Sequence, residues 1–143
     1  GEGGREMWAE RGLSGGVFGK AMGMNSVWEG RVANAQLDIE RTRLICRKAA
    51  WMMGTVGNKA AKDEIAMIKI AAPSMALRVI DDAIQAFGGA CVSDYTPLAQ
   101  MWTGQRSLRL ADGPDEVHRR AVARSEFKRA AGRLGINMRE VKK

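Results

Sequence analysis

The chain has 143 residues, 45% hydrophobic and 27% charged, which suits one domain with one sizeable core. It holds no unbroken apolar run long enough to span a membrane. A single histidine, His118, and only two cysteines, Cys46 and Cys91, argue against a zinc site and a disulfide framework, so no metal is expected.

In chain order, residues 1–16 are glycine-rich and show no period. They are expected to form a flexible or partly ordered lead-in, with at most a helical turn in MWAERGL. The opening GEGGREMWAERG also lacks the basic-then-apolar pattern of an export signal. With two thiols, this predicts a reducing compartment, cytoplasm or mitochondrial matrix.

From about Met24 to Met53, Trp28, Val32, Ala35, Ile39, Thr42, Cys46, Ala49 and Met53 recur at steps of three and four, the stripe of a core-facing helix. Gly54 and Gly57 end it. A second stripe, Ile65, Ile68, Ala72, Met75, Val79, Ala83 and Phe87, runs from about Lys59 to Phe87. Its phase does not change across Pro73, which predicts one kinked helix rather than two. Gly88-Gly89 ends it, since glycine enters left-handed cap conformations cheaply.

A third helix is expected from Thr96-Pro97, with Thr96 as N-cap and Pro97 at the first helical position. It carries Leu98, Met101, Trp102, Leu108 and Leu110 and stops before Asp112-Gly113-Pro114. A fourth begins at Pro114, with Asp115 and Glu116 in a first turn that favours negative charge, and fades near Gly132 or Gly135. No strand-like alternation stands out. The expected fold is all-α, an antiparallel four-helix bundle over residues 17–135, followed by a basic tail at 136–143.

The net charge of +7 is unevenly placed. From His118 to the end, nine arginines and lysines stand against Glu126 and Glu140, so this segment carries the whole excess. Such a face is either simply solvated or meets phosphate or another subunit. Phe127 is its one aromatic, so no base-stacking platform is visible and nucleic-acid binding is only the weakest of the three readings.

Two stretches stand apart, QAFGGACVS at 85–93 and ADGPDEVH at 111–118. The paired glycines are explained locally as a helix end and tight turn, yet such a turn also lets a ligand approach the backbone. Asp112 before Gly-Pro is either a turn carboxylate or a general base held at a helix junction. The residues alone leave both open.

In order, these stretches resemble the C-terminal domain of the acyl-CoA dehydrogenase family. The residues that carry the resemblance are FGK at 18–20, KAAWMMGTVGNKAAKDEIAMIKIAAPSMALRVIDDAIQ, AIQAFGGACVSDYTPLAQMW and RSLRLADGPDEVHRRAVARSEF. Within the family, the chain is most similar to the subgroup carrying ADGPDEVH at this place. The resemblance covers roughly residues 13–130.

It implies a four-helix bundle packed on an all-helical domain and a β-domain, in a homodimeric or homotetrameric FAD enzyme of fatty acid metabolism. Such an enzyme takes a proton from the α-carbon of an acyl-CoA while a hydride leaves the β-carbon for the flavin. The product is a trans-2-enoyl-CoA, and an electron-transfer flavoprotein accepts the electrons. Asp112 stands where many members have the catalytic glutamate, and Gly113 lets the thioester lie close to the backbone. Pro114, Asp115 and Glu116 match a flavin-contacting stretch. Gln85, Ala86, Phe87, Gly88 and Gly89 match a contact to the FAD of a neighbouring subunit.

Gly15 stands where an arginine is common, with Arg11 too far away in sequence to replace it. Ser26 stands for a frequent glutamine and Cys91 for the glycine of GGAGVS. The isolated chain is expected to be inactive without the other two domains. The rival expectation is a non-catalytic interaction or oligomerisation module, or a divergent inactive fragment.

Overall fold

The computed structural model describes residues 2–14, 16–17, 20–21 and 26–138. Its elements are α1 (Glu2–Ser14), β1 (Gly16–Val17), β2 (Lys20–Ala21), α2 (Ser26–Val56), α3 (Lys62–Phe87), a 3-10 turn (Gly88–Val92), α4 (Leu98–Leu108) and α5 (Asp115–Leu134). Gly15, Phe18, Gly19, Met24 and the tail from Arg139 onward lie outside the described residues.

The stripe of α2 is buried where expected. Ala35, Ile39, Thr42 and Ala49 are core residues, and Trp28 and Val32 pack beside them. Near the helix end the burial gives out, and Met53 is exposed. Gly57, at φ +85°, turns the chain into α3.

Helix α3 is the hub, packing against α1, α2, α4 and α5. This is why it buries more than one stripe: Ala66, Pro73, Ala76, Leu77, Val79, Ile80, Ala83 and Ala86 all leave solvent. It runs unbroken through Pro73, whose ring is buried. Burial of apolar surface on several sides offsets the roughly 3 kcal/mol that an interior proline costs.

Ion pairs fix the direction of packing. Arg31 meets Asp82 at 3.3 Å, Arg78 meets Asp38 at 2.9 Å and Lys48 meets Glu64 at 3.0 Å. As the numbers rise along α2 they fall along α3, so the two run antiparallel. Lys69 to Asp112 and Asp63 to Arg129 set α5 antiparallel to α3 in the same way. Asp82 illustrates the cost of placing such groups between helices. Burial raises its pKa, Arg31 opposes the shift, and the neighbouring Asp81 adds to it.

The core joins Ala35 and Ile39 of α2, Val79, Ile80, Ala83 and Ala86 of α3, Cys91 of the 3-10 turn and Leu98 of α4. Helices α2 to α5 are the four-helix, all-α bundle that the periodicity predicts. Among the described residues no helix is long and apolar enough to cross a membrane.

Three local expectations need correction. Residues 2–14 form a helix rather than a loop, because Met7 of α1 packs on the core and α1 lies against α3. Tertiary burial thus supplies what a glycine-rich sequence lacks in propensity. A two-residue antiparallel ladder, Gly16 with Ala21 and Val17 with Lys20, flanks the FGK phrase. Helix α4 starts one residue later than expected: Pro97 is the N-cap, its carbonyl accepts from the Met101 N–H, and the Thr96 hydroxyl makes no cap bond.

Candidate functional site

The ADGP stretch closes the six-residue connection, residues 109–114, between α4 and α5. Backbone bonds from Leu110 and Ala111 to the Ser107 carbonyl wind α4 down, and Asp112 then turns the chain. Its φ is +54°, and it is the one non-glycine with positive φ among the described residues. Gly113 follows at φ +101°, beyond the ordinary left-handed well, where a side chain is strained. A Cβ on Gly113 would also meet His118 Nε2 at 3.4 Å. Pro114 then sits extended at φ −67° and ψ 160° as the N-cap of α5.

A buried ion pair clamps this turn. Arg109 donates from Nε at 2.7 Å and Nη2 at 2.6 Å to one Asp115 oxygen, and the Asp115 N–H donates to the Arg109 carbonyl at 3.3 Å. The Asp115 side chain is only 4% exposed, while that of Asp112 is 87% exposed. The two carboxylates therefore divide the work. Asp115 is committed to closing the turn, and Asp112 projects into solvent with Lys69 Nζ at 3.4 Å. Two buried polar atoms here, Asp115 Oδ1 and His118 Nε2, have no hydrogen-bond partner among the described residues.

The second stretch lies at the far end of α3. Gln85 is exposed, Ala86 is buried and Phe87 is half-buried. Gly88, at φ +71°, caps the helix with its N–H bonded to the Ile84 carbonyl, and Gly88 and Gly89 are open to solvent. A Cβ on either would meet nothing within 4 Å, so their Cα faces are accessible from outside. Beyond them a cavity of about 570 Å³ is bordered by Ser93, Asp94, Tyr95, Thr96 and Gln100. The Thr96 hydroxyl is buried without a hydrogen-bond partner among the described residues.

Residues 85–89 and 112–116 do not converge. Lys69, which meets Asp112, and Gln85 are sixteen residues apart on α3, or about 24 Å at 1.5 Å per residue. The first group lies at the C-terminal end of α3 and the second beside its first half. Sequence reasoning missed two side chains near these groups. Arg11 of α1 places its guanidinium 6.0 Å from the Phe87 ring centroid, and Lys69 faces Asp112. Neither carries a sequence signal, because both are brought in by packing between helices.

The helical bundle recurs in known proteins. A family profile described as acyl-CoA dehydrogenase, C-terminal domain, matches residues 10–127. The chain belongs to the acyl-CoA dehydrogenase family.

Among its relatives is the probable acyl-CoA dehydrogenase FadE2 of Mycobacterium tuberculosis, 46% identical over 113 residues. That match covers 79% of this chain and 28% of the relative. Acyl-CoA dehydrogenase family member 11 of Homo sapiens is 48% identical over 118 residues, covering 82% of this chain and 15% of the relative. A structure of a putative acyl-CoA dehydrogenase from Mycobacterium abscessus superposes with a TM-score of 0.89 at 46% identity, over 91% of this chain and 32% of that one. The FAD complex of PigA superposes at 0.81 with 27% identity, over 88% of this chain and 32% of that one. The chain spans less than a third of the length of each of these relatives.

Proposed function

We propose that the chain is the C-terminal part of an FAD-dependent acyl-CoA dehydrogenase, converting an acyl-CoA thioester to a trans-2-enoyl-CoA. The observation that carries this is Asp112, an exposed carboxylate held in a left-handed backbone conformation by Gly113 and the Arg109–Asp115 clamp. Aspartate tolerates this conformation better than most residues, and the clamped turn holds the carboxylate at the surface, where it is free to meet a ligand.

In this reading Asp112 takes the α-proton of the thioester as general base. Gly113, lacking a side chain, leaves room for the thioester beside the backbone. Lys69 contacts Asp112 at 3.4 Å, and an incoming ligand would displace that contact. FAD, when bound, supplies the acceptor for the β-hydride. The residues present suit such a group: open glycine faces at 88 and 89, the unpartnered Thr96 hydroxyl, and orphaned Asp115 Oδ1 beside Gly113. Pro114, Asp115 and Glu116 would border the flavin beside the first half of α3. Gln85, Ala86, Phe87, Gly88 and Gly89 would border a neighbouring subunit's flavin at the helix's C-terminal end. The separation of about 24 Å along α3 supports this assignment to two sites.

A homodimer or homotetramer, an electron-transfer flavoprotein as acceptor and a role in fatty acid metabolism belong to the same proposal. So does a reducing compartment, cytoplasm or mitochondrial matrix, which suits the two free thiols.

Asp112→Asn in the full-length, flavin-loaded protein tests the base. Asparagine tolerates the left-handed conformation, so the turn is kept while the base is lost. Turnover is expected to fall by roughly 10²–10⁴-fold, and near-normal turnover would refute the assignment.

A second reading, an interaction module without catalysis, draws on one observation. Leu37, Leu44 and Trp51 lie seven apart on α2 and are all exposed, an apolar line where another surface can dock. Full-length protein that purifies without flavin and binds no acyl-CoA would favour that reading.

A further inference from the structure

A third region of the molecule lies apart from both groups of candidate residues. Between the start of α3 and the middle of α5 lies a cavity of about 320 Å³, lined by Lys62, Asp63, Ala121, Arg124, Ser125 and Lys128. We infer that this cavity is a binding site for a small phosphate-bearing molecule, held by Lys62, Arg124 and Lys128. The inference is independent of the dehydrogenase reading.

Three observations carry it. The first is the state of the charges. Asp63, the one carboxylate in the lining, is already satisfied: Ser125 Oγ donates to it at 2.7 Å and Arg129 Nη2 at 2.6 Å. Glu126, the nearest acid on α5, is bonded by Arg129 as well, and Glu64 by Lys48. Among the described residues no carboxylate pairs with Lys62, Arg124 or Lys128; Asp63 and Glu126 share Arg129 and keep one net negative charge, so the three cations still leave a positive excess beside the cavity.

The second is the spacing. Arg124 and Lys128 are four apart on one helix, where like charges repel. Lys62 reaches the same space from a different helix. Helices that could separate these charges instead bring them to one concavity, and an anion between them removes the repulsion. The third is the donor set. A guanidinium presents a fork suited to phosphate oxygens and ammonium groups add point charges.

The shape favours a small molecule over nucleic acid. The cations ring a pocket and do not extend as a track, and Phe127, the aromatic side chain of α5, is not among the lining residues.

The test uses the 143-residue chain and inorganic pyrophosphate, followed by amide NMR at fixed ionic strength. Saturable shifts are expected at residues 62–65 and 121–128. The double variant R124A/K128A is expected to weaken binding by roughly tenfold or more, and K62A alone by a smaller factor. R119A/R133A removes the same charge from the other side of α5 and is expected to leave binding unchanged. Circular dichroism checks that each variant keeps its helix. Non-saturating shifts, an equal loss in both double variants, or binding of a DNA duplex with no response to pyrophosphate would overturn the inference.

Discussion

At the scale of single residues, Asp112 and Gly113 separate stability from function. Asp112 occupies a left-handed conformation that costs a non-glycine residue about 1 kcal/mol. Its Lys69 contact is at the surface and returns little of that. Asp112→Gly is therefore expected to raise folding stability by up to about 1 kcal/mol, while abolishing whatever chemistry the carboxylate performs. Denaturant unfolding of the two proteins measures the first effect. Gly113→Ala acts in the opposite sense. The new methyl meets His118 at φ +101°, and a loss of about 1–3 kcal/mol is expected from backbone strain. Asp112 could be singled out from the sequence because Asp-Gly-Pro is a conspicuous turn. That Asp115, three residues on, is the buried partner of Arg109 could not. Both are acids near a helix start, and only the closure of the turn by Arg109 decides which one leaves solvent.

At the scale of elements, the α4–α5 junction depends on an unequal pair. Asp115 is almost wholly buried, whereas the Arg109 side chain keeps about a third of its surface exposed, at 32%. Removing the arginine strands a buried charge, so Arg109→Ala is expected to cost about 3 kcal/mol. Asp115→Asn strands a cation that water still reaches, and is expected to cost about 1–2 kcal/mol. Thermal unfolding of the two variants checks the order, and a larger loss for Asp115→Asn would contradict the clamp described here.

Between α2 and α3, Asp82 sets a pH dependence. Its pKa is raised in the fold, chiefly by burial. In the window between the ordinary value of 3.8 and its raised value, the folded chain holds a proton that the unfolded chain has released. Asp82 thus contributes stability below that window, and this contribution is lost as pH rises through it. Asp82→Asn titrates at no pH. Its stability relative to the parent is expected to improve as pH rises across the window, then level off. Unfolding of both proteins from pH 3 upward would show it, and a parallel pH profile would refute it.

The helices themselves were legible from their periods. α2, α3 and α5 repeat apolar or small residues, or end at glycines, in a way that helical geometry requires. The helix over Glu2–Ser14 was not, since its glycines carry no stripe and it depends on contact with α3. The N-cap of α4 slipped by one residue for a similar reason. Leu98, with no exposed surface, is a core anchor, and its burial fixes where the helix begins regardless of Thr96.

At the scale of the whole molecule, this bundle exposes many large apolar side chains, Leu37, Leu44, Trp51 and Tyr95 among them. A surface of this kind suits a part of a larger assembly. The two candidate ligand-contact groups also lie well apart along α3, and neither encloses a flavin. Mixing the purified chain with FAD and an acyl-CoA is therefore expected to give no flavin bleaching, and bleaching would refute the view that other parts of a longer protein complete the site.

The sequence by itself determined the helical class, the family and the two stretches worth examining, because periodicity, glycine breaks and motif order are local properties. Tertiary structure alone decided which acid is exposed and which is clamped, that Arg11 lies over Phe87, and that three unpaired cations from two helices share one cavity. Those facts depend on distances between residues far apart in the chain, and such distances exist only once the helices have packed.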